Sequence, residues 1–478
     1  MDRRVTILPQ KLDILARDGE NLLALLRRAG LGPDAPCGGG GRCGKCRVRV
    51  EGEEKLACRT AVDRDLTVAL PEGGEQRILT GGLAVSGPGE GFRLAFDIGT
   101  TTVVGYLLKN GRELACASRS NPQTAFGADV VTRIRHAIHG QLEPQTRAIR
   151  DCLEDLTLEL CAAGGIQPGA AVFVSVVGNP AMGQIFLGIP VDNLAKIPFA
   201  PVMTGLNTIP AKAVLPLWEN AGLLNVPDIA GFVGADTVAC VLATGMDQSE
   251  EMTLLVDIGT NGEMVLGNRH RMAACAAAAG PALEGAGIRF GMRGQAGAID
   301  HVRLENGQLR CTVIGGGSPV GICGSGLIDA VAAALDAGWL NSRGKIQTND
   351  GLIRMTGEIT LDQEDIRQVQ LAKGAIAAGI RLLAAHLEVS LEDIQKVYLA
   401  GAFGTYMDPG SACRMGLLPL ELEGKITAVG NAAGSGAKLL ACDPDARERA
   451  KAIVENTQPL ELAVLPGFPR CFAKSMRF

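Results

Sequence analysis

Four cysteines near the beginning of the chain have the spacing of a metal centre. CGGGGRCGKC supplies Cys37, Cys43 and Cys46, and LACRT supplies Cys58, giving C-x5-C-x2-C-x11-C. Thiolates grouped three plus one, on a loop and a returning segment, suit a [2Fe-2S] cluster, whose two irons take four sulfur ligands from the protein. A structural zinc site is the alternative, but it usually shows two C-x2-C pairs. The glycines serve the same chemistry: without a Cβ the loop can bring backbone close to sulfur, take positive φ and aim N–H groups at anionic sulfides. Gly39 to Gly44 also reads as G-x-G-x-x-G, and Gly39 to Cys46 nearly as a P-loop. Both are chance overlaps, because LGPDAP instead of a strand leads in, and Cys46 stands where a P-loop has Ser or Thr.

A second constellation recurs along the chain. LAFDIGTTTVVGYLLKNGREL around Asp97 returns as LLVDIGTNGEMVLGNRHRMA around Asp257. Each copy reads as a strand ending in Asp, a Gly turn, a second strand and a hairpin, with Asn110-Gly111 at the first hairpin. An Asp at a strand end can hold Mg2+ directly or through water. Gly99 with Thr100, Thr101 and Thr102, and Gly259 with Thr260, Asn261 and Gly262, offer backbone N–H and hydroxyl groups to phosphate oxygens. Two such loops facing each other would clamp one polyphosphate. Glu284, an acid in a Gly-rich turn after the second loop, is the candidate to position an attacking water, with a surface or capping role as the competing reading. His136 and His139 lie at i and i+3, but with no acidic or Cys partner in the local pattern they read as a solvated helix face.

The elements that must position these groups follow from periodicity and turns. VTILPQ and LDILARDG predict a hairpin, ENLLALLRRAGL a short amphipathic helix ending at Gly32, and CRVRVEGEEKLAC a strand pair beyond the cysteine loop. PEGGEQRILTGGLAVSGPGEGF, rich in Gly, Pro and small residues, predicts a linker with one short ordered piece and a hinge. Beyond it lie AVFVSVVGNPAMGQIF (strand, turn, helix), GICGSGLIDAVAAALDAGWL (Gly turn into a helix) and KVYLAGAFGTYMD (strand into a Gly turn). The Pro-punctuated stretch from Pro198 to Pro227 is expected to wind between lobes. The expected organisation is residues 1–72, a linker 73–92 and a two-lobed unit 93–478, with lobes near 93–250 and 251–478.

Composition narrows the function classes. With 478 residues and a formal net charge of −5, and with Lys and Arg spread along the chain, nucleic acid is not the expected partner. Fourteen cysteines are many for a reducing compartment, so the clustered four point to redox or metal chemistry. The remaining cysteines stand alone among small or apolar neighbours, where a thiol behaves as a small hydrophobe. The first residues lack the apolar core of a secretory signal, and the uncharged run from Gly164 to Val191 is broken by Pro168, Pro180 and Pro190. The expectation is a cytoplasmic protein without a membrane span.

At the cysteine loop and its flanks the chain resembles β-grasp [2Fe-2S] ferredoxins, although the interval between Cys46 and Cys58 is shorter than in many relatives. Around the Asp loops it resembles the superfamily of actin, sugar kinases, acetate kinase and the heat-shock ATPases. There Asp97 to Thr102 matches the first phosphate motif and Asp257 to Gly262 the second. Leu399 to Gly404, with Gly401, Ala402 and Gly404, matches the adenosine motif, and GNAAGSGAK at Gly430 to Lys438 matches the helix-starting turn that often follows. The fold class implied is α/β: a β-grasp ferredoxin-like domain followed by a duplicated, RNase H-like, two-lobed ATPase domain. Taken together, the chain resembles the reductive activators of corrinoid proteins. FGADVVTRI, VGNPAMGQIFLGI, GPALEGAGIRFGM, GICGSGLIDAV and AGAFGTYMDP all look like blocks of that family. Two features depart from it: little room for a further domain after the linker, and Gly183 where many relatives carry His.

That resemblance implies one-electron, ATP-dependent reduction of cob(II)alamin to cob(I)alamin on a separate corrinoid protein of a methyltransferase or O-demethylase system. The implied cofactors are a [2Fe-2S] cluster, ATP and Mg2+, and the implied donor is a ferredoxin or flavodoxin. Plant-type clusters lie near about −400 mV and the corrinoid couple is expected lower, so ATP is the expected source of the driving free energy. The rivals are an ATP-driven donor to another low-potential enzyme such as a dehydratase, a small-molecule kinase with an accessory cluster, and a plain electron carrier with a degenerate nucleotide fold.

Overall fold

The computed structural model describes residues 2–8, 11–29, 31, 39, 41, 46–70 and 79–478. Cys37 and Cys43, and the expected end of the first helix at Gly32, lie outside the described residues.

The N-terminal unit is a five-stranded mixed sheet with one helix packed on it. β1 (Asp2–Leu8) and β2 (Leu12–Arg17) form the expected hairpin, and β3 (Arg47–Val50) and β4 (Glu53–Leu56) the expected strand pair. β5 (Leu66–Ala69) runs between β1 and β3, parallel to the first and antiparallel to the second. The helix α1 (Leu22–Arg28) buries Leu22, Leu25 and Leu26 at i, i+3 and i+4 against Val5, Ile7, Val48 and Val68. Cys46 belongs to the same core.

The duplication seen as motif is a duplication of fold. In the first lobe β6 (Phe92–Ile98), β7 (Thr102–Lys109) and β8 (Arg112–Ser120) form an antiparallel meander. β9 (Ala171–Gly178) then pairs parallel to β6. The second lobe repeats the scheme with β12 (Thr253–Ile258), β13 (Gly262–Asn268) and β14 (Arg271–Ala277), and β15 (Lys396–Ala400) lies parallel to β12. Asp97 sits in β6 and Asp257 in β12, each on the central strand of its sheet, where Asp97 pairs with Val177 and Asp257 with Ala400.

The Pro-rich stretch does more than cross between lobes. It carries β10 (Asn207–Pro210) and β11 (Gly222–Asn225), which complete the first sheet, β11 parallel to β9 and β10 antiparallel at the edge. Pro210 ends the edge strand, where a missing N–H is tolerated. Between these strands Trp218 is fully buried, stacks on Phe96 at 5.5 Å and donates from Nε1 to Thr157 Oγ1 at 3.1 Å. Trp218→Ala should destabilise this lobe by about 3–5 kcal/mol. Scanning calorimetry should show the transition of the ATPase unit moving down.

Behind the cleft the lobes share one apolar core. Six further helices are α2 (Val130–His136), α3 (Leu142–Gly164), α4 (Pro180–Leu187), α5 (Ala235–Thr244), α6 (Gly324–Asp336) and α7 (Gln363–His386). α8 (Gly401–Tyr406), α9 (Pro409–Arg414) and α10 (Ala432–Cys442) follow. α5 and α10 pack side by side in that core with Val238, Val241, Leu255, Val265 and Leu440. They touch backbone to backbone, since a Cβ on Gly436 would lie 2.1 Å from the Ala239 carbonyl oxygen. The helix that carries His136 and His139 is broken at His139 and Gly140, where Gly140 has φ +86°, and His139 Nδ1 lies 2.7 Å from the Arg135 carbonyl oxygen. Among the described residues no helix is long and apolar enough to cross a membrane.

Candidate functional site

Both Asp loops open onto one cleft of about 310 Å3 between the lobes, lined from the first lobe by Asp97 and Gly99 to Thr102 and from the second by Asp257 to Asn261. The first loop is held from behind. Asn121 Nδ2 donates to the Gly99 carbonyl oxygen at 2.7 Å, and its backbone N–H donates to that of Thr101 at 2.8 Å. Arg133, fully buried on α2, donates to the Thr100 carbonyl, and to Gly127 at 2.9 Å. Burial lowers its pKa to about 10, which leaves it charged at neutral pH. Asn179 caps α4 through Met182 N–H and donates from Nδ2 to Thr100 Oγ1 at 3.3 Å. Three successive loop carbonyls are thus occupied by protein donors, which fixes the loop's shape before any ligand arrives.

Glu284 spans the two loops. Its Oε1 accepts from Thr260 Oγ1 at 2.9 Å, and its Oε2 accepts a longer bond from Thr101 Oγ1 at 3.5 Å. Glu284 itself lies in the lining of the cleft. Glu284→Gln keeps the acceptor for Thr260 but loses the charge. If Glu284 orients water, single-turnover hydrolysis should slow by about 100-fold with nucleotide affinity nearly unchanged.

The floor of the cleft is more acidic than the motifs alone suggested. Asp236, in the first turn of α5, and Glu263 on β13 line the cleft with Asp97 and Asp257. Burial first, and then the neighbouring carboxylates, push Asp97 and Asp236 up to about 7; burial raises Asp257 to about 6 and drives Glu263 well above its usual range. Asn431 Nδ2 opposes this at Asp97, donating to Oδ2 at 3.0 Å, and the Cys240 thiol donates to Asp257 Oδ2 at 3.7 Å. The carboxylates cannot all ionise comfortably without a cation. No three His, Cys, Asp or Glu side chains form a closed metal cage among the described residues. An open floor of this kind fits Mg2+ that keeps several waters and arrives with phosphate.

Not every residue of the matching motifs faces the cleft. Gly401 does, with φ +83° and an absent Cβ that would lie 2.6 Å from Asp257 Oδ1, so only glycine leaves that carboxylate room. Gly262 instead packs on Ile376 and Gly404 on Leu399, behind the wall. The side chain of Ala402 lies outside the described residues. Gly183 faces Met203, whose Cε would lie 2.7 Å from a Cβ there, so the space a larger residue would need is filled.

In the cysteine unit, the Cys58 backbone N–H donates to Cys46 Sγ at 3.5 Å, the kind of bond a cluster thiolate accepts. Asn21 Nδ2 holds the Cys58 carbonyl at 2.9 Å while its Oδ1 accepts from Ala24 N–H at the start of α1. Gly39 and Gly41 have φ of +93° and +71°, as the loop argument requires. The two described ligand positions and their glycines fit a [2Fe-2S] group.

A duplicated α/β ATPase preceded by a β-grasp iron-sulfur module is the class that this fold and site define. Residues 251–478 match the family described as the C-terminal domain of RACo, the ASKHA domain; residues 92–249 match the RACo middle region; and residues 5–65 match the 2Fe-2S iron-sulfur cluster binding domain. The corrinoid activation enzyme RamQ of Eubacterium limosum is 36% identical over 424 residues, covering 81% of this chain and 70% of that protein. The Co(II) methylated amine-specific corrinoid protein reductase of Methanosarcina barkeri is 32% identical over 278 residues, covering 52% of this chain and 51% of that protein. A solved structure of a reductive activator for corrinoid, iron-sulfur protein superposes with TM-score 0.72 at 28% identity, over 100% of this chain and 98% of that one. The chain belongs to the family of reductive activators of corrinoid proteins.

Proposed function

We propose that this chain transfers one electron to the cob(II) state of a separate corrinoid protein, forming cob(I), and that ATP bound in the cleft drives the transfer. The meeting of both Thr-bearing loops at Glu284 carries the reading, because it brings the two halves of a polyphosphate clamp to one point. A [2Fe-2S] cluster held by Cys37, Cys43, Cys46 and Cys58 supplies one-electron chemistry at low potential when bound.

The protein's own groups do the rest. The first loop, its carbonyls tied back by Asn121 and Arg133, presents Thr100 and Thr101 to phosphate. Asp97 and Asp257 attract the cation that accompanies the nucleotide, with Asp236 adding charge at the floor. Glu284 orients the water. Closure of the lobes around the bound nucleotide changes the free energy of docking the corrinoid partner, and the differential affinity between open and closed forms is the driving term. The partner belongs to a methyltransferase or O-demethylase system, and a ferredoxin or flavodoxin supplies the electron. The site of action is the cytoplasm.

The test is anaerobic. Reduced protein is mixed with a corrinoid protein and the cob(II) to cob(I) absorbance change is followed with and without Mg-ATP. The reading expects reduction that depends on ATP. Reduction indifferent to ATP overturns the coupling, and no corrinoid response together with phosphorylation of a small substrate favours the kinase.

A further inference from the structure

Residues 79–91, within the segment expected to be a linker with one short ordered piece, lie fixed along the ATPase unit, and their anchor is the residue that also holds Asp97. Tyr106 Oη donates to the Thr80 carbonyl at 2.8 Å, Asn431 N–H to that of Gly81 at 2.9 Å, and Ser435 Oγ to that of Leu83 at 3.1 Å. Gly82 pairs antiparallel with Gly430, and a Cβ on Gly82 would lie 2.4 Å from the Asn431 carbonyl oxygen and 2.5 Å from Ser435 Oγ. The far end is pinned as well: Asn110 N–H donates to the Gly91 carbonyl at 3.1 Å, and Gly91 N–H donates to Asn110 Oδ1 at 3.0 Å. Leu79 itself lines the cleft.

Asn431 is the shared joint. Its backbone N–H holds the strap, its Oδ1 caps α10 by accepting from Gly434 N–H at 2.7 Å, and its Nδ2 donates to Asp97 Oδ2 at 3.0 Å. These three bonds fix one side-chain and backbone geometry. The geometry points to a strap that senses the cleft: whatever draws Asp97 away from Asn431 loosens the segment leading back to the cysteine module. This rests on the reading of the cleft as a nucleotide site. A ligand cation at Asp97 competes with Asn431 for the Oδ2 lone pairs, so nucleotide and strap compete for one residue. The coupling must then be reciprocal, with release of the strap strengthening nucleotide binding by the factor with which nucleotide weakens the strap.

The test is hydrogen exchange on the full-length chain with and without Mg2+ and β,γ-imido-ATP, paired with nucleotide affinity of Gly82→Ala and Tyr106→Phe. Neither residue belongs to the phosphate loops, and Tyr106→Phe keeps the buried ring. The expected result is faster exchange in the peptide 79–92 when the analogue binds, with analogue binding at least about 5-fold tighter in both variants. Protection of 97–102 and 257–262 with unchanged or slower exchange in 79–92, or affinities within about twofold of wild type, overturns the strap and leaves the nucleotide reading standing. Absence of protection in both loops overturns that reading and the strap with it.

Discussion

The Asp97→Asn chain should hydrolyse ATP at least about 100-fold more slowly, yet resist unfolding better than wild type at pH 8 in the absence of metal. Asp97 is enclosed at the floor of the cleft beside Asp236 and Asp257, and its pKa rises to about 7 from burial first and from those neighbours second. A carboxyl whose folded pKa lies above its unfolded value of 3.8 contributes stability that is fully present below pH 3.8 and is lost as pH rises through about 7. At pH 8 the wild type therefore carries an unfavourable charge that Asn does not, while at pH 4 the two chains should unfold alike. With water entering the cleft mouth, the gain is about 1–3 kcal/mol. Asn can still accept from Asn431, so the helix cap survives. Denaturation at the two pH values with a chelator present, beside a phosphate-release assay, measures both effects. Equal stability at pH 8 would show that Asp97 bears no burial cost, and retained turnover that it does not serve the reaction.

Cys46→Ser should abolish the visible spectrum and the reduced-state EPR signal while leaving ATP hydrolysis in place. Cys46 is 1% exposed and its sulfur accepts the Cys58 N–H, so the side chain is held in the core of the module. Serine oxygen is harder and far less acidic than a thiol and does not match iron in this setting. Cys240→Ser is the control. That thiol is buried behind the cleft, bonded to Asp257, and its loss should leave the colour unchanged. A colourless wild type containing one zinc would end the cluster assignment.

How much of this was legible follows from what each residue type signals. Cysteine spacing is rarely accidental, and a repeated Asp-Ile-Gly-Thr is visible as a string, so the iron-sulfur module and the two loops could be read directly, with the four cysteines as its candidate ligands. Arg133 could not, because a charged residue in VVTRIRH reads as solvent-facing, and only the folded chain shows it fully buried behind Thr100. Asp236 sits alone in GADTVA, where nothing local announces burial beside two other carboxylates. Gly-rich sequence at the linker did not show which of its residues would be the ordered ones, because glycine serves flexible chain and close backbone contact equally well, and Gly82 serves the second. The strands around Trp218 were hidden by prolines that turn out to bound the sheet edge.

Arg133 has one more consequence, for which way round a ligand lies. A fixed positive charge stands behind the first loop, and Asp97, Asp236 and Asp257 stand at the floor in front of it. The low-dielectric wall between them supports a field with a definite direction. A magnesium polyphosphate is itself a dipole, with anionic oxygens at one end and a cation at the other. Only one orientation would set its oxygens toward the guanidinium and its metal toward the carboxylates, so such a ligand is expected to be turned by the field before any side chain makes contact.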